Sequence, residues 1–193
     1  MSRDNQAKRQ IIACSAVYED SRLTDALIRT FNKICDNREP DGCFSNSVAL
    51  HVVLRSLGYN PTLCYGLCTS PKGQEFYHAW IELDGVVLDL SIYGNSHYSP
   101  FWNEDPLNPV IFESYDDTPV RYGNQVFDAD WENCMISNAV KLGSIENYIA
   151  HAPYVKHPSG NGLWKLIFNI LDEVYTQEKH SLLQQYVSNA KFT

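Results

Sequence analysis

The dipeptide Asp84-Gly85 separates two apolar runs, residues 76–83 and 86–92, and it constrains the fold more than any other local feature. A turn of this kind joins antiparallel strands, because Asp and Gly tolerate the backbone that a two-residue hairpin loop demands. A strict two-residue loop pairs Leu83 with Val86, sets Trp80 opposite Asp89 and sets His78 opposite Ser91. Alternation along the first run puts Tyr77, Ala79, Ile81 and Leu83 on one face, and His78, Trp80 and Glu82 on the other. Asp89 then lies diagonal to His78 on the same face, at the roughly 7–8 Å across which side chains of adjacent strands meet. Asp89 interrupts the apolar run Val86-Val87-Leu88 and Leu90. A carboxylate in such a run needs a partner, and an imidazole one strand away supplies it.

Upstream, residues 21–35 carry Leu23, Ala26, Leu27, Phe31 and Ile34 at a helical period. Residues 36–41 are polar, include Pro40 and read as a loop. A second helix is expected over 43–57, burying Val48, Ala49, Val52, Val53 and Leu57. Gly58 stands where a C-terminal cap belongs, and Pro61 blocks continuation. Residues 61–69 read as a strand. Residues 93–123 mix Pro, Asn and Asp with aromatics and are expected to be irregular, with one strand at 109–114. There Tyr93, His97, Tyr98, Phe101 and Trp102 either line a substrate cleft or pack over the sheet. Residues 131–148 read as partly helical, and a final helix is expected from 163 to about 190, with Leu166, Ile167, Ile170 and Leu171 facing a core.

The chemistry gathers at three positions. Cys43 opens a helix, where free amides and the positive dipole end favour a thiolate and can also hold a developing oxyanion. His78 is the candidate base, and Asp89 the carboxylate that fixes its tautomer. Asn37 is the expected second oxyanion donor, with Arg38 as the alternative, and Trp80 beside His78 is an expected substrate contact. Ser45 and Ser47 are expected to cap the helix start.

These residues resemble the transglutaminase-like superfamily of papain-type cysteine enzymes. The resemblance rests on Gly42-Cys43 opening a helix, Leu54-Arg55-Ser56-Leu57-Gly58-Tyr59 closing it, His78-Ala79-Trp80 on a strand, and Asp84-Gly85 followed by Asp89. It implies an α+β papain-like fold: N-terminal helices on a central antiparallel sheet, with a helical C-terminal extension. It also implies that Cys43 is the nucleophile, His78 the general base and acid, and Asp89 its orienting partner. The pattern is similar to small bacterial transglutaminase-like proteins, which include lasso-peptide leader peptidases. One domain over 1–193 is expected, with a catalytic core at about 37–92 and an extension over 93–193 that governs substrate choice. The expected activity is acyl transfer through a thioester, as a peptidase, deamidase or transamidase, on a peptide or protein amide or on a small acyl or amine substrate.

Two alternatives stay open at this stage. Arylamine N-acetyltransferases share the Cys, His, Asp order, but no Arg-Gly-Gly precedes Cys43. A non-catalytic binding module would normally have lost one of the three residues. Cys64 and Cys68 with Cys43 and His78 do not match zinc-ligand spacing, so no metal or cofactor is expected. The chain has 193 residues, enough for one self-sufficient core, and its net charge of -8 argues against a nucleic-acid partner. No apolar run approaches the roughly twenty residues of a membrane span. Residues 1–10 are polar and lack the apolar core of a signal peptide, so a cytoplasmic protein with six free thiols is expected.

Overall fold

The computed structural model describes residues 2–38, 42–123 and 164–171. The chain forms two compact units, residues 1–125 and 126–193. In the first, α1 (Arg3–Ser15), a 3-10 turn (Ala16–Tyr18), α2 (Ser21–Asn37) and α3 (Cys43–Ser56) precede the sheet. Strands β1 (Thr62–Thr69), β2 (Glu75–Leu83) and β3 (Val86–Asp89) follow, then α4 (Ser91–Tyr98), β4 (Val110–Glu113) and β5 (Arg121–Tyr122). The described part of the second unit is α5 (Trp164–Leu171). The strand order is β4-β3-β2-β1-β5 and every pairing is antiparallel, so the architecture is α+β.

Local chemistry explains the elements that place the site. Asp20 caps α2 by accepting the Arg22 amide, and the helix buries Leu23, Ala26, Leu27, Phe31 and Ile34, the stripe read from sequence. α3 is buried on nearly every side: Leu50 and Leu54 are in the core, while Leu57 is only half-buried. No single apolar stripe exists on such a helix, which is why a stripe reading selects Leu57 in their place. Past its end Gly58 adopts a φ of +97°, and the Tyr59 amide donates back to the Leu54 carbonyl, a glycine-based helix stop.

The hairpin has the expected register, with Leu83 on Val86, Glu82 on Val87 and Ile81 on Leu88. Both turn residues, Asp84 and Gly85, have positive φ, as a twist-matched two-residue loop requires. The second strand, expected to run to residue 92, ends at Asp89, and α4 begins two residues later. Ala79 therefore loses the strand neighbour that would have engaged its backbone.

The sheet is covered on both faces. One cluster joins Ile11, Leu27, Phe31, Leu50, Leu54, Ile81 and Leu88. The other joins Cys68, Trp80, Val87, Ile92, Val110 and Val120, with Phe76, Trp102 and Tyr122 against it. Each fully buried large side chain contributes about 1.5–3 kcal/mol. Tyr93 belongs to the first cluster, packed edge-on against Phe31, which makes it core. α1 and α4 were not expected from sequence, and β5 was not either. The helix expected over 131–148 lies outside the described residues, as does most of the one expected over 163–190.

Candidate active site

Cys43 is the first residue of α3, and Gly42 in the N-cap position makes no side-chain cap. The first amides of a helix have no partner within it, so the Cys43 end of α3 turns backbone donors toward the thiol. The helix start is held against β2 through Ala79, whose backbone is released where β3 ends. Ser47 donates to the Ala79 carbonyl at 2.9 Å, and the Ala79 backbone hydrogen-bonds the Cys43 thiol. Ser47, expected as a cap, thus ties α3 to the sheet.

His78 and Asp89 are out of solvent and joined by a 2.7 Å contact from Nε2 to Oδ2. Asp89 Oδ2 also accepts the Tyr122 hydroxyl at 2.8 Å. Its Oδ1 accepts the Ser91 hydroxyl at 2.8 Å and the Ile92 amide at 3.0 Å, so the carboxylate caps the start of α4 while holding the imidazole. Four partners answer the requirement that a buried carboxylate be hydrogen-bonded. The other ring nitrogen, Nδ1, lies 3.0 Å from Asn95 Nδ2, and the Asn95 side chain also hydrogen-bonds the Cys43 thiol. Phe76 packs edge-on against the ring at 5.7 Å, and Trp102 packs on Phe76.

The electrostatics follow from these contacts. Burial alone would raise the Cys43 thiol, but its hydrogen bond to His78, the His78 charge, the Ala79 backbone and the Asn95 amide outweigh it and hold the thiol below its ordinary value. Burial alone would lower His78, and the Asp89 charge and hydrogen bond turn that into a rise. Burial likewise opposes ionisation of Asp89, whose carboxyl is nevertheless held low by the His78 charge and by its donors. Burial pushes the Cys35 and Cys64 thiols up to about 11 and Cys68 up to about 12, and it raises Cys14 as well. Cys43 is thus the only thiol among the described residues whose environment favours the thiolate. It is also half-buried rather than sealed.

Of the five expected site residues, Cys43, His78 and Asp89 come together. Asn37 is exposed at the last residue of α2. Trp80 is 4 % exposed, with its indole N–H donating to the Tyr115 hydroxyl, because residues 110–122 cover that face of the sheet. Neither is hydrogen-bonded to the Cys43 group. Asn95 and Tyr122 do join it, and both were missed. Asn95 sits four residues from Ser91 on α4, so reading residues 91–98 as a helix would have put the two on one face beside Asp89. For Tyr122, on a two-residue strand, no local signal exists.

The model of the transglutaminase-like superfamily matches residues 3–103, more than half of the chain, and the protein belongs to that superfamily. Its members generally include cysteine enzymes. No curated protein and no solved structure matches the chain. The matched segment takes in α1, α2 and α4 besides the expected core, while Tyr122 lies beyond it. Among the described residues, no group of three His, Cys, Asp or Glu side chains is arranged to hold a metal ion, and no helix is long and apolar enough to cross a membrane.

Proposed function

We propose that the protein is a cysteine-dependent acyl-transfer enzyme acting on an amide or acyl carbonyl, with Cys43 as nucleophile, His78 as proton carrier and Asp89 as its orienting partner. The observation that carries this reading is the orientation of His78: one ring nitrogen is engaged by Asp89 at 2.7 Å, and the ring hydrogen-bonds the thiol at a helix start. In the first step Sγ adds to the carbonyl carbon and the negative charge moves to the oxygen. The C–N bond then breaks, His78 gives its proton to the departing amine, and a thioester remains. Water resolves it to a carboxylic acid, or a second amine resolves it to a new amide, with His78 accepting the proton of the incoming group. Peptidase, deamidase and transamidase activities use the same residues, and the incoming group decides among them. The proposed substrate is a peptide or protein amide, or a small acyl donor.

The test is alkylation by iodoacetamide across a pH series, read cysteine by cysteine by peptide mass spectrometry, in the wild type and His78→Ala. Cys43 is expected to label well below the roughly 8.5 of a free thiol, and to lose that advantage in the variant. Cys14, Cys35, Cys64 and Cys68 serve as internal references, since burial raises all four. Labelling of Cys43 no faster than these would overturn the reading.

A further inference from the structure

Nucleophilic attack on a carbonyl moves negative charge from sulfur to an oxygen two bonds away, and that oxygen needs donors of its own. The resting thiol already has three hydrogen-bonding neighbours: the His78 ring, the Ala79 backbone and the Asn95 side chain. Two of them are committed. The Ala79 backbone is fixed in β2, paired with Tyr65 of β1, and its carbonyl is held by Ser47. His78 must retain its proton for the leaving group. Asn95 differs from both: it is a side chain at the rim, half-buried on α4, and its amide carries two N–H hydrogens.

The chemistry of the ring fixes which way that amide points. Asp89 takes the proton-bearing Nε2, so the neutral imidazole presents a bare Nδ1, and the group 3.0 Å away must donate. The amide nitrogen of Asn95 therefore faces the reacting atoms in the neutral state. When His78 takes up the thiol proton at Nδ1, that position becomes a donor and no longer accepts from Asn95. In the thiolate–imidazolium pair that the raised His78 and lowered Cys43 favour, Asn95 donates to the sulfur alone, and its second N–H is available to a developing oxyanion.

We propose that Asn95 Nδ2 is the side-chain donor to the oxyanion formed when Cys43 adds to a carbonyl, with the Cys43 backbone amide at the open start of α3 as the second donor. This rests on Cys43 being the nucleophile of the proposed reaction. It gives Asn95 the role that the sequence suggested for Asn37, which lies exposed at the end of a different helix.

Two electrophiles separate the oxyanion role from every other. Iodoacetamide is displaced at a saturated carbon, so no oxyanion forms. With p-nitrophenyl acetate, Sγ adds to the carbonyl, an oxyanion forms, and p-nitrophenolate leaves to give an acetyl thioester. Both rates are measured on their pH plateaus for the wild type, Asn95→Ala and Asn95→Leu, the last being close to asparagine in shape but without a donor. The expected result is a fall of roughly a hundredfold or more in acylation, with alkylation within about threefold of the wild type. Acylation unchanged in both variants would overturn the proposal, and so would an equal fall in both rates, which would mean that Asn95 only maintains the thiolate. A wild-type Cys43 no more reactive than Cys14 toward iodoacetamide would instead overturn the nucleophile assignment, a result distinct from either.

Discussion

The Tyr122 hydroxyl donates to Asp89 Oδ2 at 2.8 Å from a two-residue strand that lies beyond the family-matched segment. The carboxylate that orients His78 is thus itself held by a part of the chain outside the matched core. β5 pairs with β1 at Cys68–Tyr122 and Thr69–Arg121, and Tyr122 also packs on Trp80 at 4.8 Å.

Removing that hydroxyl leaves one lone pair of a buried carboxylate without its donor. Tyr122→Phe is expected to lower stability by about 1–3 kcal/mol, read as a shift of the urea midpoint. Gly123→Ala is expected to do at least as much damage. A Cβ there would overlap the Leu67 carbonyl oxygen, so β5 could not keep its place beside β1. Midpoints equal to that of the wild type would show that β5 is not needed to hold Asp89.

Asp89→Asn is expected to act through the tautomer of His78. An amide nitrogen at the Oδ2 position would donate to Nε2, driving the ring proton to Nδ1, where the ring can no longer accept from the Cys43 thiol. Acylation by p-nitrophenyl acetate should fall about 10²–10⁴-fold, yet less than in His78→Ala, which removes the proton carrier outright. Cys43 alkylation should shift to higher pH. An unshifted profile would mean that Asp89 serves α4 and the fold alone.

His51 sits on α3, with its Nδ1 enclosed and without a hydrogen-bond partner among the described residues. Burial, then the Arg55 charge, push its imidazole down to about 4. The unfolded chain binds a proton at roughly pH 6.5, so between these values it holds a proton that the folded protein does not. Stability therefore declines as pH falls from about 6.5 to about 4. In His51→Leu the loss of Tm between pH 7 and pH 5 should shrink, by the equivalent of about 1–2 kcal/mol at pH 5. Equal losses in both proteins would assign the acid sensitivity to other groups.

Legibility in the sequence tracked how local the determinants are. Asp84-Gly85 dictated the register of β2 and β3, and with it the meeting of His78 and Asp89, because turn geometry propagates along a ladder. Gly42 and Gly58 marked both ends of α3 for the same reason. α1 escaped notice because it buries little more than Ala7, Ile11 and Ser15, too narrow a face to show as a stripe. α4 escaped because Ser91-Ile92-Tyr93-Gly94-Asn95-Ser96-His97-Tyr98 is poor in helix formers. What organises it is tertiary: the Asp89 carboxylate at its first amides, and burial of Ile92 and Tyr93. Asn95 was hidden together with the helix that carries it. Asn37 precedes Cys43 closely in sequence, but the α2 helix carries it to an exposed end.

The groups that hydrogen-bond the Cys43 thiol arrive from far along the chain: His78 and Ala79 from β2, Asn95 from the helix whose first turn Asp89 caps. None is a neighbour of Cys43 in sequence. During synthesis and folding, therefore, this residue is an ordinary thiol, no more prone to oxidation or stray acylation than Cys14. The hydrogen bonds that lower this thiol exist only once the hairpin, α4 and the start of α3 have docked, so a misfolded copy carries a thiol of ordinary acidity at this position.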